Sequence, residues 1–228
     1  MTYHEIIITV LLNENIPMEK SYEIISRFIS RAMLGDHLLK ELHEQKGYKH
    51  YVLCSLYPLE SDKIYRKGRM YAFNLRGLDV NFILKMKRLI MTVQEGPMKA
   101  ITAEIRQQHY RPIREIYTLT PAVATINGKS WTREDGIGLL MERIHINAIK
   151  KHRSFYGDLQ EPAENFIEVI EQTNDKPIRI RYKNTSLLGC KLNLIVKQDE
   201  LSQRLAFTVM GSGLLEKNTI CCGYCRAK

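Results

Sequence analysis

Residues 42–49, Leu-His-Glu-Gln-Lys-Gly-Tyr-Lys, gather a histidine and two lysines around a glycine turn. Histidine titrates near neutrality, so His43 can take a proton from a hydroxyl or return one. Lys46 and Lys49 can neutralise negative charge that builds on a phosphorane. These are the parts needed for metal-independent cleavage of RNA by its own adjacent 2′-hydroxyl. The same residues also suit a polar helix end with solvated side chains, and their spacing does not choose between the two.

The second chemical feature is the stretch Gly211-Ser212-Gly213-Leu214-Leu215-Glu216-Lys217-Asn218-Thr219. Glycines let a backbone approach a polyanion closely, and exposed N–H groups beside a lysine suit phosphate oxygens. A nucleotide P-loop needs Gly-Lys-Ser/Thr entering a helix. Here Asn218 follows the lysine, and the nine residues after Thr219 suffice for one short strand. The stretch therefore reads as a glycine-rich loop that grips something larger than a mononucleotide. Cys222-Gly223-Tyr224-Cys225 has no following helix to lower a thiol pKa and no second Cys/His pair for zinc. Its cysteines read as small buried residues of a terminal strand. His145 and His152 stand seven residues apart on one expected helix and carry little weight as metal ligands. The carboxylates are scattered, which argues against a two-metal nuclease, and no cofactor or metal is expected.

These features sit in a chain of 228 residues with a formal charge of +9 and a pI near 9.3. Both halves are basic, which favours a polyanionic partner, RNA or DNA. A basic protein without a nucleic-acid role has the same charge. A hydrophobic content of 44%, with alternating patterns, supports real cores and argues against a disordered chain. The apolar run Ile6–Leu12 is far below the ~18–20 residues needed to span a bilayer. It also lacks a basic leader, so no membrane partner and a cytoplasmic location are expected. An odd number of cysteines, five, fits a reducing compartment.

The elements that position these residues follow from periodicity. Glu5–Leu12 reads as a central strand, and Pro17 starts a helix over Met18–Met33. Gly35-Asp36 breaks it, and a second helix runs His37–Glu44. Lys49–Tyr57 and Met70–Leu75 read as strands, Asp79 caps a helix to Val93, and Ala100–Arg106 returns as a strand. That β-α-β-β-α-β order is the ferredoxin-like unit. In the second half, a strand Ile116–Ile126 meets the Asn127-Gly128 turn and a helix runs Arg133–Arg153. Strands follow at Phe166–Ile170, Leu192–Val196 and Leu205–Val209. Ile178, Ile180 and Tyr182 alternate with Arg179, Arg181 and Lys183, giving a strand with one cationic face. No second helix is evident there. The expected class is α+β, with tandem ferredoxin-like (RRM-related) domains at 1–110 and 111–228.

Three stretches resemble the Cas6 family of CRISPR repeat-RNA processing endoribonucleases, within the RAMP superfamily. They are Leu42–Lys49 with the strand that follows, Thr118-Leu119-Thr120-Pro121-Ala122-Val123, and Gly211–Gly223 with its Glu216-Lys217-Asn218-Thr219 core. The resemblance implies transesterification of CRISPR repeat RNA (pre-crRNA), leaving 2′,3′-cyclic phosphate and 5′-hydroxyl ends. His43 falls on the family's catalytic histidine, and Lys49 on the lysine that steadies the transition state. Phe28 stands where well-known members carry a catalytic tyrosine, leaving Tyr48, Tyr22 and His37 as alternative proton carriers. Cys221 and Cys222 replace the usual glycine and aromatic. Lys46, Arg179, Arg181, Lys183, Gly211, Gly213, Lys217 and Asn218 are the expected RNA contacts. A non-cleaving subunit that retains crRNA for an effector complex is the alternative, and the resemblance leaves room for other effector subunits and a homodimer.

Overall fold

A computed structural model describes residues 1–160, 162 and 164–228. The first half opens with β1 (Thr2–Leu12), whose Ile6, Ile8 and Val10 point into one core at period two. The short β2 (Ile16–Pro17) leads into α1 (Met18–Met33) and α2 (His37–Glu44). Next come β3 (Tyr51–Leu53), β4 (Ile64–Tyr65), β5 (Met70–Gly77), α3 (Val80–Ile90) and β6 (Met98–His109). An antiparallel sheet forms in the order β3-β5-β1-β6, while β2 pairs with β4. Asp79 caps α3 by accepting from the Asn81 N–H at 2.8 Å.

The second half runs β7 (Glu115–Thr118), β8 (Thr125–Ile126), β9 (Lys129–Ser130) and α4 (Ile137–Tyr156). It continues through β10 (Ile167–Gln172), β11 (Ile178–Tyr182), β12 (Thr185–Gly189), β13 (Leu192–Val196), α5 (Glu200–Ser212) and β14 (Cys225–Ala227). Its sheet has the order β10-β13-β7-β14. Setting aside the three small two-stranded pairs, both halves arrange their four main strands as second-third-first-fourth.

Three expectations are corrected. Leu205–Val209 is helical, lying inside α5, because Asp199 caps that helix by accepting from the Ser202 N–H at 3.0 Å. Leu205 through Ser212 are all buried, and a helix buried almost all round shows no 3.6-residue alternation. The single strand Ile116–Ile126 is two short strands, since Pro121 lacks the N–H a ladder needs. Lys49–Tyr57 narrows to β3 plus one bridge from Tyr57 to Ala72.

The halves share their cores. The β11–β12 hairpin lays Ile180 and Tyr182 toward α1, and Ile220, Cys221 and Cys222 join the first half's apolar cluster. Tyr3 and Leu78 join the second half's cluster in return. Arg76, 5% exposed, ties them with hydrogen bonds to Glu5 (2.8 and 3.0 Å), the Tyr224 hydroxyl (2.7 Å) and the carbonyls of Met210 and Cys225.

Candidate nucleic-acid interface

Between the 47–51 loop of the first half and the 212–219 segment of the second lies a pocket of about 390 Å³. Its walls include Tyr48, Lys49, His50, Glu216, Lys217 and Asn218, with Lys151 of α4 reaching in from the second half.

The first wall is set by how α2 ends. Asp36 caps its start, accepting from the Leu39 N–H at 3.1 Å. At its end the Lys49 ammonium donates to the carbonyls of Leu42, Gln45 and His43, the last at 3.3 Å. These are carbonyls a helix end leaves without partners, and the cation also meets the negative pole of the helix dipole. Burial draws the Lys49 pKa down. Next in sequence, His50 sits in the left-handed region at φ 53°, an uncommon place for a residue with a Cβ. Its ring lies 5.2 Å from that of Phe155, and its Nε2 is 3.2 Å from the Ser154 hydroxyl. That hydroxyl donates to the Lys151 carbonyl, so it accepts from Nε2–H and leaves Nδ1 bare. Nδ1 is buried without a partner. Burial, with the Lys151 charge second, pushes the His50 pKa down to about 4.

The second wall is the terminal loop. The Lys151 ammonium, 3% exposed, donates to the Gly213 carbonyl (2.7 Å), the Leu215 carbonyl (2.8 Å) and the Asn218 Oδ1 (2.7 Å). Burial lowers its pKa to about 7. Asn218 in turn donates to the carbonyls of Leu214 and Cys222 at 3.0 Å each. Glu216 accepts from the Thr125 N–H (3.2 Å) and hydroxyl (2.8 Å). Lys217 stands exposed at φ 61° with its ammonium free of these bonds.

The expected site residues divide accordingly. Tyr48, Lys49, Lys217 and Asn218 come together at this pocket, and burial raises the Tyr48 pKa. His43 is exposed in the last turn of α2, and Lys46 is exposed just beyond it. His37 lies at the opposite end of α2, 3.4 Å from Glu41. None of these three lines the pocket. Gly211 is a buried residue of α5 and Gly213 its buried C-cap, so neither offers backbone to a ligand. At Gly213 and Gly223 the backbone is left-handed, and a Cβ would fall 2.5 Å from the Asn218 amide and 2.0 Å from the Leu214 carbonyl. These two glycines let the loop close on itself. Asn218 is likewise spent on the loop's interior.

Arg179 and Arg181 line a different cavity of about 440 Å³ between the halves, with Tyr57, Lys191, Tyr224 and Arg226. Lys183 is exposed where β11 turns into β12. Phe28 is core, edge-on to Phe73 at 6.3 Å. Tyr22 is buried with its phenol pKa raised well above the ordinary value. Cys222 and Cys225 are buried free thiols whose pKa values burial pushes up to about 12. His152 bonds Thr208 at 2.8 Å, and His145 Nδ1 accepts from the Phe166 N–H at 3.3 Å. Among the described residues no three of His, Cys, Asp and Glu converge on a metal-holding group.

No protein-family model matches the sequence, and no curated protein matches it. Solved structures do. The chain superposes on a structure described as a CRISPR-associated protein Cas6, with a TM-score of 0.75 over 99% of both chains at 16% identity. A Cas6-related protein from Pyrococcus furiosus gives 0.73 over 99% of this chain and 98% of that one, at 18% identity. A RAMP protein described as binding different RNA substrates gives 0.72 over 99% of both at 16%. The fold is that of the Cas6 and RAMP proteins. Within this Cas6 fold, no helix of the described residues is long and apolar enough to cross a membrane.

Sequence reasoning missed His50, Lys151 and Ser154. The signal for Lys151 was present: it falls in phase with Leu140, Ile144 and Ala148, the buried stripe of α4. A lysine on that stripe must find acceptors or lose its charge. His50 carried no such signal.

Proposed function

We propose that the chain is a Cas6-type protein that binds CRISPR repeat RNA and cleaves it. In this reading it consists of two ferredoxin-like domains, 1–110 and 111–228, and acts in the cytoplasm. The observation that carries the reading is the pocket where Tyr48 and Lys49 of one half face Lys217 of the other, within a fold matched along nearly its whole length.

The chemistry begins with loss of the 2′-hydroxyl proton to a base. The 2′-oxygen then bonds to phosphorus, the P–O5′ bond breaks, and the 5′-oxygen takes up a proton. His43, exposed at the end of α2, is the proton carrier, with Tyr48 and His37 the other groups on or beside that helix. All three Lys49 donors are engaged by carbonyls of the last turn of α2 and its C-cap Gln45, so Lys49 offers the phosphorane its charge rather than a free N–H. Lys217, with its ammonium in solvent, is the direct phosphate contact. Lys46 extends the cationic track, and Arg179, Arg181 and Lys183 supply a second one across the molecule.

Two observations favour the non-cleaving reading. Phe28 is buried in the core and has no proton to exchange, and His43 does not line the pocket with Lys49. End-labelled repeat RNA, and the same RNA with one 2′-deoxy at the scissile position, decide the matter. Cleavage of the first alone, with equal binding of both and with excess EDTA present, is expected. Binding without cleavage selects the retaining subunit, and cutting of the deoxy substrate refutes the chemistry. Failure to bind either RNA rejects both readings.

A further inference from the structure

One turn of α4 touches both walls of the pocket. Lys151 holds the terminal loop at three points, two backbone carbonyls and the Asn218 side chain. Ser154 and Phe155 hold His50 on the opposite wall. The three acceptors of Lys151 span Gly213 to Asn218, the segment in which Leu215 and Lys217 take left-handed backbone at φ 56° and 61°. Left-handed conformations are strained for residues with a Cβ, so two so close together persist only where other bonds enforce them. Lys151 shares the pocket with the cationic Lys49 and Lys217. Glu216 is occupied by Thr125, the Cys225 thiol is buried, and His50 lies across the pocket.

We propose that Lys151 is a positioning residue: it does not touch RNA, but imposes on the terminal loop the shape that presents Lys217 to a phosphate. A buried ammonium with three acceptors is a rigid three-point anchor. Replacing it by an apolar side chain leaves two carbonyls and an amide oxygen unpaired, which the loop relieves by opening to water. Lys217 then loses its fixed direction although its charge remains. The proposal rests on the reading of the pocket as an RNA site only for what Lys217 contacts. The anchoring itself belongs to the protein alone.

The test uses the full chain. Hydrogen exchange without RNA compares wild type with Lys151→Met, which retains the methylene stem. Amides of residues 213–219 are expected to exchange about 10-fold faster or more, while β1 and β5 keep their protection. With repeat RNA, KM (or Kd, should the protein only bind) is expected to rise about 10-fold, with kcat within about 3-fold. A double-mutant cycle with Lys217→Ala separates positioning from general damage: once Lys217 is absent, Lys151→Met adds less than about 3-fold to KM or Kd. Should Lys151→Met fail to fold, Lys151→Gln, which keeps a donor for the loop carbonyls and leaves the Asn218 bonds to Leu214 and Cys222 in place, takes its place in every measurement. Unchanged exchange at 213–219, or effects that multiply in the cycle, overturns the proposal. A wild type that binds no repeat RNA overturns its RNA part, and the exchange comparison still decides the anchoring part.

Discussion

His43 and His50 stand seven residues apart and are chemically opposite. His43 is exposed at a helix end, where an imidazole can meet a substrate. His50 is wedged between the halves, and burial holds it neutral. His43→Ala is therefore expected to reduce cleavage of repeat RNA by about 10²–10⁴ while leaving binding within a few-fold, as single-turnover rates and filter binding will report. Loss of binding in parallel with rate would instead make His43 a contact residue. His50 has a different signature, visible in stability. Its folded pKa is about 4 against an ordinary value near 6.5, so between those pH values the unfolded chain holds more protons. Stability then rises with pH across that window and is lost as pH falls toward 4. With solvent screening discounted, the effect is about 1–2 kcal/mol. His50→Asn tolerates left-handed backbone but does not titrate. Urea unfolding at pH 4.5 and 7 is expected to show a smaller gap in this variant; an equal gap would remove His50 from the account.

At the scale of elements, the terminal loop shows how a motif can be right in place and different in use. Its glycines serve contacts inside the loop and against the first half, and the outward-facing group is Lys217. Gly223→Ala would set a Cβ 2.0 Å from the Leu214 carbonyl at φ 68°, where neither backbone can yield cheaply. A loss of about 3 kcal/mol or more is expected in denaturant unfolding. A loss below about 1 kcal/mol would mean the loop has slack that the geometry denies. The helices α1, α2 and α3 were legible because each has one wet face and a cap or proline at its start. Helix α5 was not, because nearly every position from Ser202 to Ser212 is buried and burial erases the period. The cationic face of β11 was legible from strict alternation. That it would line a cavity other than the one Lys217 lines was not, because the hairpin's docking on α1 is a contact between segments some 160 residues apart.

On the scale of the whole molecule, the two halves are coupled through Arg76. Its guanidinium is buried, pairs with Glu5, bonds Tyr224 and two carbonyls of the second half, and lies over the Tyr224 ring at 4.2 Å from its centroid. Arg76→Met leaves Glu5 as an uncompensated buried charge, for which a cost of about 3–5 kcal/mol is expected in thermal or urea unfolding. Adding Glu5→Gln should recover part of it, since the stranded charge is then gone; no recovery would assign the loss to the carbonyl contacts instead. By itself the sequence determined the mixed α+β class, the order of the first half's elements, the basic charge and the segments that carry His43, Lys49 and Lys217. Those follow from local periodicity, capping and composition, which nearby residues dictate. Only the tertiary structure decided that Lys49 would be spent on closing α2, that Asn218 and the glycines would face inward, and that Lys151 and His50 would meet at the pocket. Each depends on which distant backbone carbonyls and hydroxyls become available once α4, α5 and the terminal loop are packed together. A buried polar group takes the partners that packing leaves it, and no local pattern names them in advance.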